Sequence, residues 1–138
     1  MIHAVDSLRL LEKIQSEAAK INRIIPCLLQ VHIAREETKF GFDPEELADL
    51  ISRVSPSDYP NIQFSGLMGM ASFSDDEELV SSEFQVLHEL FLSIQSTQAD
   101  KFPHFKELSM GMTGDYPIAI NQGSTIIRVG TLLFGSRN

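Results

Sequence analysis

The chain of 138 residues carries 11 Lys+Arg against 19 Asp+Glu, a formal net charge of -8, and is 43% hydrophobic and 22% charged, the make-up of one ordinary globular domain. That acidic balance excludes a nucleic-acid surface or an anionic membrane as the default partner, since both need clustered Lys and Arg. A lone cysteine, Cys27, excludes an internal disulfide framework and a multi-cysteine zinc site; with no basic-then-apolar leader and no apolar run near the ~20 residues that span a bilayer, a cytoplasmic protein is expected.

Along the chain the hydrophobic period alternates between short continuous runs and helical spacing. Ile2 to Val5 reads as a strand. Ser7 caps a predicted helix to Lys20, with Leu8, Leu10, Leu11, Ile14 and Ala18 mainly on one face. The nearly unbroken run Ile24 to Ile33 reads as a strand buried on both faces, as under the helices of a parallel sheet. Asp43-Pro44-Glu45-Glu46 opens the next helix with a cap, a proline and first-turn acids. A loop at 56–60 leads to a third strand over Ile62 to Ala71. Ser74-Asp75-Asp76-Glu77-Glu78 then opens a long helix carrying Phe84, Leu87, Leu90, Phe91 and Ile94. Its acids complement the helix dipole rather than cluster for a metal. A fourth strand spans Glu107 to Met112, a short helix about Tyr116 to Gln122 ends at Gly123, and a last strand from Thr125 to Val129 runs on through Gly130 to Gly135.

Strand and helix therefore alternate, which predicts right-handed βαβ units and a parallel sheet. Periodicity alone leaves a doubly wound sheet and a piece of a barrel equally open. In either, ligands sit at the carboxyl ends of the strands. There the chain places Glu36 to Gly41, Met110 to Asp115, and Arg128 to Thr131. The last two join hydroxyl residues to glycines and free backbone amides, a combination suited to a phosphate. The four histidines, at 3, 32, 88 and 104, show no metal-ligand spacing, and no metal is expected. His88 is expected to face solvent and Cys27 to be a buried, inert thiol. If the sheet is a barrel, Met68, Met70, Met110 and Met112 are expected in its interior.

The combination is more telling than its parts. Ser109-Met110-Gly111-Met112-Thr113-Gly114-Asp115, followed by Gly123-Ser124-Thr125-Ile126-Ile127-Arg128-Val129-Gly130-Thr131-Leu132-Leu133-Phe134-Gly135, resembles the pyridoxal-phosphate homeostasis proteins, single-domain relatives of the alanine racemase barrel. That family's pattern there is S-M-G-M-S-x-D, then G-x-T-x-V-R-I-G-T-x-I-F-G. Leu28 to Gly41 is similar to its L-x-Q-V-N-x-x-x-E-x-x-K-x-G segment, Gly66-Leu67-Met68 to its G-L-M strand, and His3-Ala4-Val5-Asp6-Ser7 to its H-S-V-D-S.

The resemblance implies an α/β fold: the C-terminal part, about five of eight strands, of a (β/α)8 TIM-type barrel, over residues 1–138 as one partial domain. It implies pyridoxal 5′-phosphate as the cofactor. Ser109 and Thr131 would bond its phosphate, with the backbone amides of Met110, Gly111, Gly130 and Thr131. Arg128 would reach the pyridine nitrogen, Met68 would line the wall, and Lys39 would bring a positive charge to the mouth. The lysine that bonds the cofactor in the family precedes the His3–Ser7 segment, so it is expected outside this chain together with three strand–helix units. Against the roughly 250 residues of a complete barrel, 138 is short.

The expected function is cofactor buffering or delivery without catalysis, and no catalytic residue is assigned. Two alternatives stand beside it: a racemase-like enzyme, and a truncated fragment without covalent cofactor. Open sheet edges in a partial barrel predict self-association as well.

Overall fold

The computed structural model describes residues 1–37 and 40–137. Each connection between strands is a helix whose start is written locally. Strand β1 (Ile2–Val5) leads into α1 (Leu8–Lys20), where Ser7 Oγ accepts from the Leu10 amide at 3.2 Å. Strand β2 (Ile25–Val31) leads to α2 (Pro44–Arg53). There Asp43 accepts from the Glu45 amide at 2.9 Å and Glu46 accepts from the Asp43 amide at 3.2 Å, a reciprocal cap with proline at the first position.

Strand β3 (Ile62–Gly69) precedes α3 (Glu77–Thr97). Its cap is Asp76, three residues into the Ser74–Glu78 run, because the Asp76 carboxylate takes the Glu78 and Leu79 amides. Strand β4 (Glu107–Met112), α4 (Tyr116–Asn121), β5 (Ile126–Arg128) and a single turn, α5 (Thr131–Phe134), complete the order. The last strand, expected over Thr125 to Val129, ends at Arg128, and the residues after it coil: the Phe134 and Gly135 amides turn back onto the Gly130 and Thr131 carbonyls. No helix among the described residues is long and apolar enough to cross a membrane.

All neighbouring pairs are parallel and the spatial order is β1-β2-β3-β4-β5. A doubly wound sheet reverses direction at a switch point; this one advances uniformly, as a barrel does. Curvature makes the same point. His3 Nδ1 on β1 lies 3.4 Å from Ser109 Oγ on β4, although strands three places apart in a flat sheet stand about 14 Å apart at the usual spacing. The sheet is a half-barrel.

The convex face carries the main core. Val5, Cys27, Leu29, Val31, Phe64, Leu67, Leu108 and Met110 pack there against Leu11, Leu47, Ile51, Val80, Phe84, Leu87 and Phe91 from the helices. Met110 thus lies between sheet and helices rather than in the barrel interior, since alternation along β4 turns it away from Ser109. Burial pushes the Cys27 thiol up to about 11, consistent with an inert side chain. Alternation sends Leu28, Gln30, Met68 and Ser109 to the concave face, where curvature buries them too. His88, expected in solvent, is half-buried instead; its ring packs against Gly123, 2.9 Å from where a Cβ would stand.

One glycine sets how closely the middle strands approach. Between β2 and β3 the register slips by one, with Cys27 opposite Phe64 but Leu28 opposite Gly66. Gly66 adopts φ +151, and a Cβ there would stand 1.7 Å from the Glu107 carbonyl oxygen. Replacing it with alanine must strain the backbone and push β4 away. Gly66→Ala is expected to lower stability by about 3 kcal/mol or more, read as a lower urea midpoint.

Candidate functional site

The carboxyl ends of β3, β4 and β5 converge on a cavity of about 870 Å³. Its walls are the segments after each strand: Met70 to Asp75, Met112 to Asp115, and Arg128 with Gly130 and Thr131, closed by Phe134 to Arg137. The volume suits a small-molecule ligand.

Arg128 is a half-buried cation on the cavity wall. Its Nη1 donates to Ser109 Oγ at 2.7 Å and its Nη2 to the Gly69 carbonyl at 3.1 Å. Burial draws its pKa down and the Asp115 carboxylate draws it back up; a guanidinium so far above neutrality remains charged. Asp115 also shapes the β4 exit. Its Oδ1 accepts from the Met112 amide at 2.7 Å while its own amide donates to the Met112 carbonyl at 3.1 Å. Thr113 and Gly114 are thereby held at the tip of a closed loop, beside Gly130 and Thr131.

The β3 exit is anchored from below. Glu83 of α3 is buried, and its carboxylate accepts from the Ser72 amide at 3.0 Å and from the Ser72 hydroxyl. Ser72 Oγ in turn accepts from the Arg35 amide at 3.0 Å, and Glu36 Oε1 accepts from the Phe73 amide at 3.2 Å. His32 Nε2 donates to the Glu36 carbonyl at 2.9 Å. The loops after β2 and β3 are thus tied together along the rim. A buried carboxylate is tolerable only with such partners.

Of the residues singled out from sequence, Arg128, Gly130 and Thr131 line the cavity together. Ser109 is fully buried on the concave face with its hydroxyl on Arg128. Met110 faces the helices, and Gly111 lets α4 close on β4, since a Cβ would stand 2.6 Å from that of Ala119. Met68 is buried on the concave face, whereas Met70 reaches the cavity wall. Lys39 lies outside the described residues.

Sequence reasoning gave no role to Ser72 or Glu83, and none to Thr113 or Asp115 individually. Thr113 and Asp115 sit in the very glycine-and-hydroxyl loop already noticed. Glu83 had a signal of its own: a carboxylate on the apolar stripe of Val80, Phe84 and Leu87 must find a buried partner.

The full chain, residues 1–138, matches the family described as alanine racemase, N-terminal domain. The chain belongs to that family. Within it, the chain is 39% identical over 137 residues to the pyridoxal phosphate homeostasis protein of Aquifex aeolicus, covering 99% of this chain and 58% of that protein. It is 34% identical to the protein of the same name from Vibrio alginolyticus, covering 99% and 56%. The chain therefore spans somewhat over half the length of these relatives.

Among solved structures, it superimposes on PipY of Synechococcus elongatus without PLP at a TM-score of 0.86, with 34% identity over 97% of this chain and 60% of that one. The PLP-bound form of PipY gives 0.80. Alanine racemase of Bartonella henselae, at 18% identity and a TM-score of 0.61, shares the fold. The partial barrel expected from sequence is the observed fold of this alanine-racemase N-terminal family member.

One titration at this site bears on stability. His3 is held below its ordinary value of 6.5, first by burial, then by the Arg128 guanidinium and the N-terminal ammonium. On acidification the unfolded chain takes up that proton first. The stability that neutral His3 confers is therefore complete above 6.5 and declines as the pH falls below it. In His3→Gln the urea midpoint is expected to fall less steeply than in the parent between about pH 7 and pH 5.

Proposed function

We propose that this chain is the cofactor-cradling, C-terminal part of a pyridoxal phosphate homeostasis protein, which holds pyridoxal 5′-phosphate for buffering or delivery and does not itself catalyse a reaction. The observation that carries this reading is the fixed guanidinium of Arg128 beside Thr113, Gly130 and Thr131 at the strand ends. These residues fit the group: the permanent cation of Arg128, the hydroxyls of Thr113 and Thr131, and Gly130, whose Cβ position opens onto free space. The names of the relatives and the PLP-bound PipY structure point to the same ligand.

Thr131 and the amides of Gly130 and Thr131 are assigned to the phosphate and Arg128 to the ring nitrogen, as expected from sequence. Thr113 takes the phosphate role expected of Ser109, whose buried hydroxyl accepts from Arg128 and is not on the cavity wall. Bound pyridoxal 5′-phosphate supplies an aldehyde that condenses with amines and a ring that withdraws electrons. Arg128 donates a hydrogen bond without surrendering a proton at neutral pH, so it leaves the ring nitrogen unprotonated and the ring a weaker electron sink. That favours holding the cofactor over turning substrates over.

The chain spans somewhat over half the length of its relatives, and no described lysine is assigned to bond the cofactor covalently. Binding by this chain is accordingly reversible. Equilibrium dialysis is expected to show pyridoxal 5′-phosphate retained, displaced by inorganic phosphate, and weakened at least tenfold by Arg128→Ala, about 1.4 kcal/mol. Failure of the folded chain to bind, or indifference to Arg128→Ala, overturns the reading. Borohydride treatment followed by peptide mapping is expected to leave every lysine unmodified; an adduct at Lys39 would place the covalent link within this chain.

The edges of β1 and β5 carry no further strand among the described residues, and we assign their cover to a second copy when the chain stands alone. Sedimentation at micromolar concentration is expected to give a mass above that of one chain. A folded monomer would contradict it.

A further inference from the structure

Four of the five strands send a group to the Arg128 guanidinium or to the hydroxyl that holds it: His3 from β1, the Gly69 carbonyl from β3, Ser109 from β4 and Arg128 itself from β5. We propose that Ser109 and His3 are positioning residues for Arg128, which hold its guanidinium as a fixed cation at the cavity and do not themselves contact the ligand.

The hydrogen-bond inventory supports this assignment. Ser109 is wholly buried, so its hydroxyl must find partners inside the protein. A hydroxyl has one hydrogen and two lone pairs. One lone pair accepts from Arg128 Nη1 at 2.7 Å, and the hydrogen is directed to His3 Nδ1, a longer contact of 3.4 Å. For Nδ1 to accept, the imidazole must be neutral with its proton on Nε2. Burial and the adjacent guanidinium both favour the neutral ring. A hydroxyl that donates onward is in turn a better acceptor, so the imidazole strengthens the bond to Arg128.

The Gly69 carbonyl fixes the second nitrogen. With two of its five N–H groups committed, the guanidinium cannot rotate freely, and its remaining donors are available on the cavity side, where Arg128 lines the wall. Because His3 reaches Ser109 only across the curved interior, the curl of the sheet and the aim of Arg128 depend on one another. The consequence for cofactor affinity rests on the proposed function; the positioning itself does not.

The test reads the two separately. Phenylglyoxal, which attacks free guanidinium groups, is applied to the full chain, and modification at each arginine is followed by peptide mass mapping. Exposed Arg9 and Arg23 serve as references, and buried Cys27 as the report of an intact fold. Ser109→Ala is expected to raise the Arg128 rate at least fivefold, with Arg9 and Arg23 unchanged and Cys27 still protected. His3→Ala should raise it two- to threefold, and His3→Gln, which restores an acceptor, should bring it back. An Arg128 rate unchanged in Ser109→Ala with Cys27 protected overturns the proposal. If Ser109→Ala exposes Cys27, His3→Ala decides, and an unchanged rate there overturns it equally.

Pyridoxal 5′-phosphate dialysis with the same variants is expected to show about tenfold weaker binding for Ser109→Ala and about threefold for His3→Ala. Lost Arg128 protection in a parent that never bound the cofactor would refute the functional reading and leave the positioning role standing. Intact protection alongside weakened binding would refute the positioning role instead.

Discussion

A parallel sheet whose strands advance in one direction, each joined to the next by a helix, acquires covering helices on one face only. The other face must be buried by curling. That constraint governs this molecule. It brings His3 on β1 within 3.4 Å of Ser109 on β4, sinks Leu28, Gln30, Met68 and Ser109 into a concave interior, and gathers the carboxyl ends of β3, β4 and β5 around a single cavity. The close passage at Gly66 belongs to the same geometry. A side chain there would meet the Glu107 carbonyl and hold the strands apart.

The site's chemistry follows from what the curl leaves at the rim. Arg128 loses much of its hydration, and Ser109 Oγ and the Gly69 carbonyl replace it. A cation held by neutral groups keeps its charge available to an anionic or electron-rich ligand. Asp115, the nearby acid, is partly engaged with the Met112 amide and so shapes its loop as well as balancing charge. On the opposite wall, Glu83 holds the loop after β3 through Ser72, and the rim contacts from Arg35 and Glu36 extend that hold to the loop after β2. Each wall therefore rests on a buried polar group that reaches it from beneath. Such networks fix a geometry when fully satisfied.

Much of the fold was readable in the chain because its signals are local. Asp43-Pro44-Glu45-Glu46 writes a helix start within four residues, and the capping bonds are those the residue types require. Within the Ser74–Glu78 run several residues were competent caps, and only backbone direction chose Asp76 among them. Of the site, Arg128, Gly130 and Thr131 were legible from their motif and meet at the cavity. Ser109 was legible as a polar residue that matters, but its partner stands nineteen residues away on another strand. Glu83 and Ser72, eleven residues apart on a helix and a loop, share no local motif. His88 was misjudged for the same reason, as its neighbour Gly123 belongs to the segment after α4.

By itself, then, the sequence determined the alternation of strands and helices, their caps, the acidic surface, and the family to which the glycine- and hydroxyl-rich strand ends belong. These depend on residues close in the chain or on a motif read in order. Only the tertiary structure decided that the sheet curls rather than winds both ways, that Ser109 faces Arg128, and that Met110 faces the helices. Those outcomes depend on strand order and on which side of each strand is turned inward, and a single-residue slip such as the one at Gly66 changes that facing without leaving a mark in composition or period.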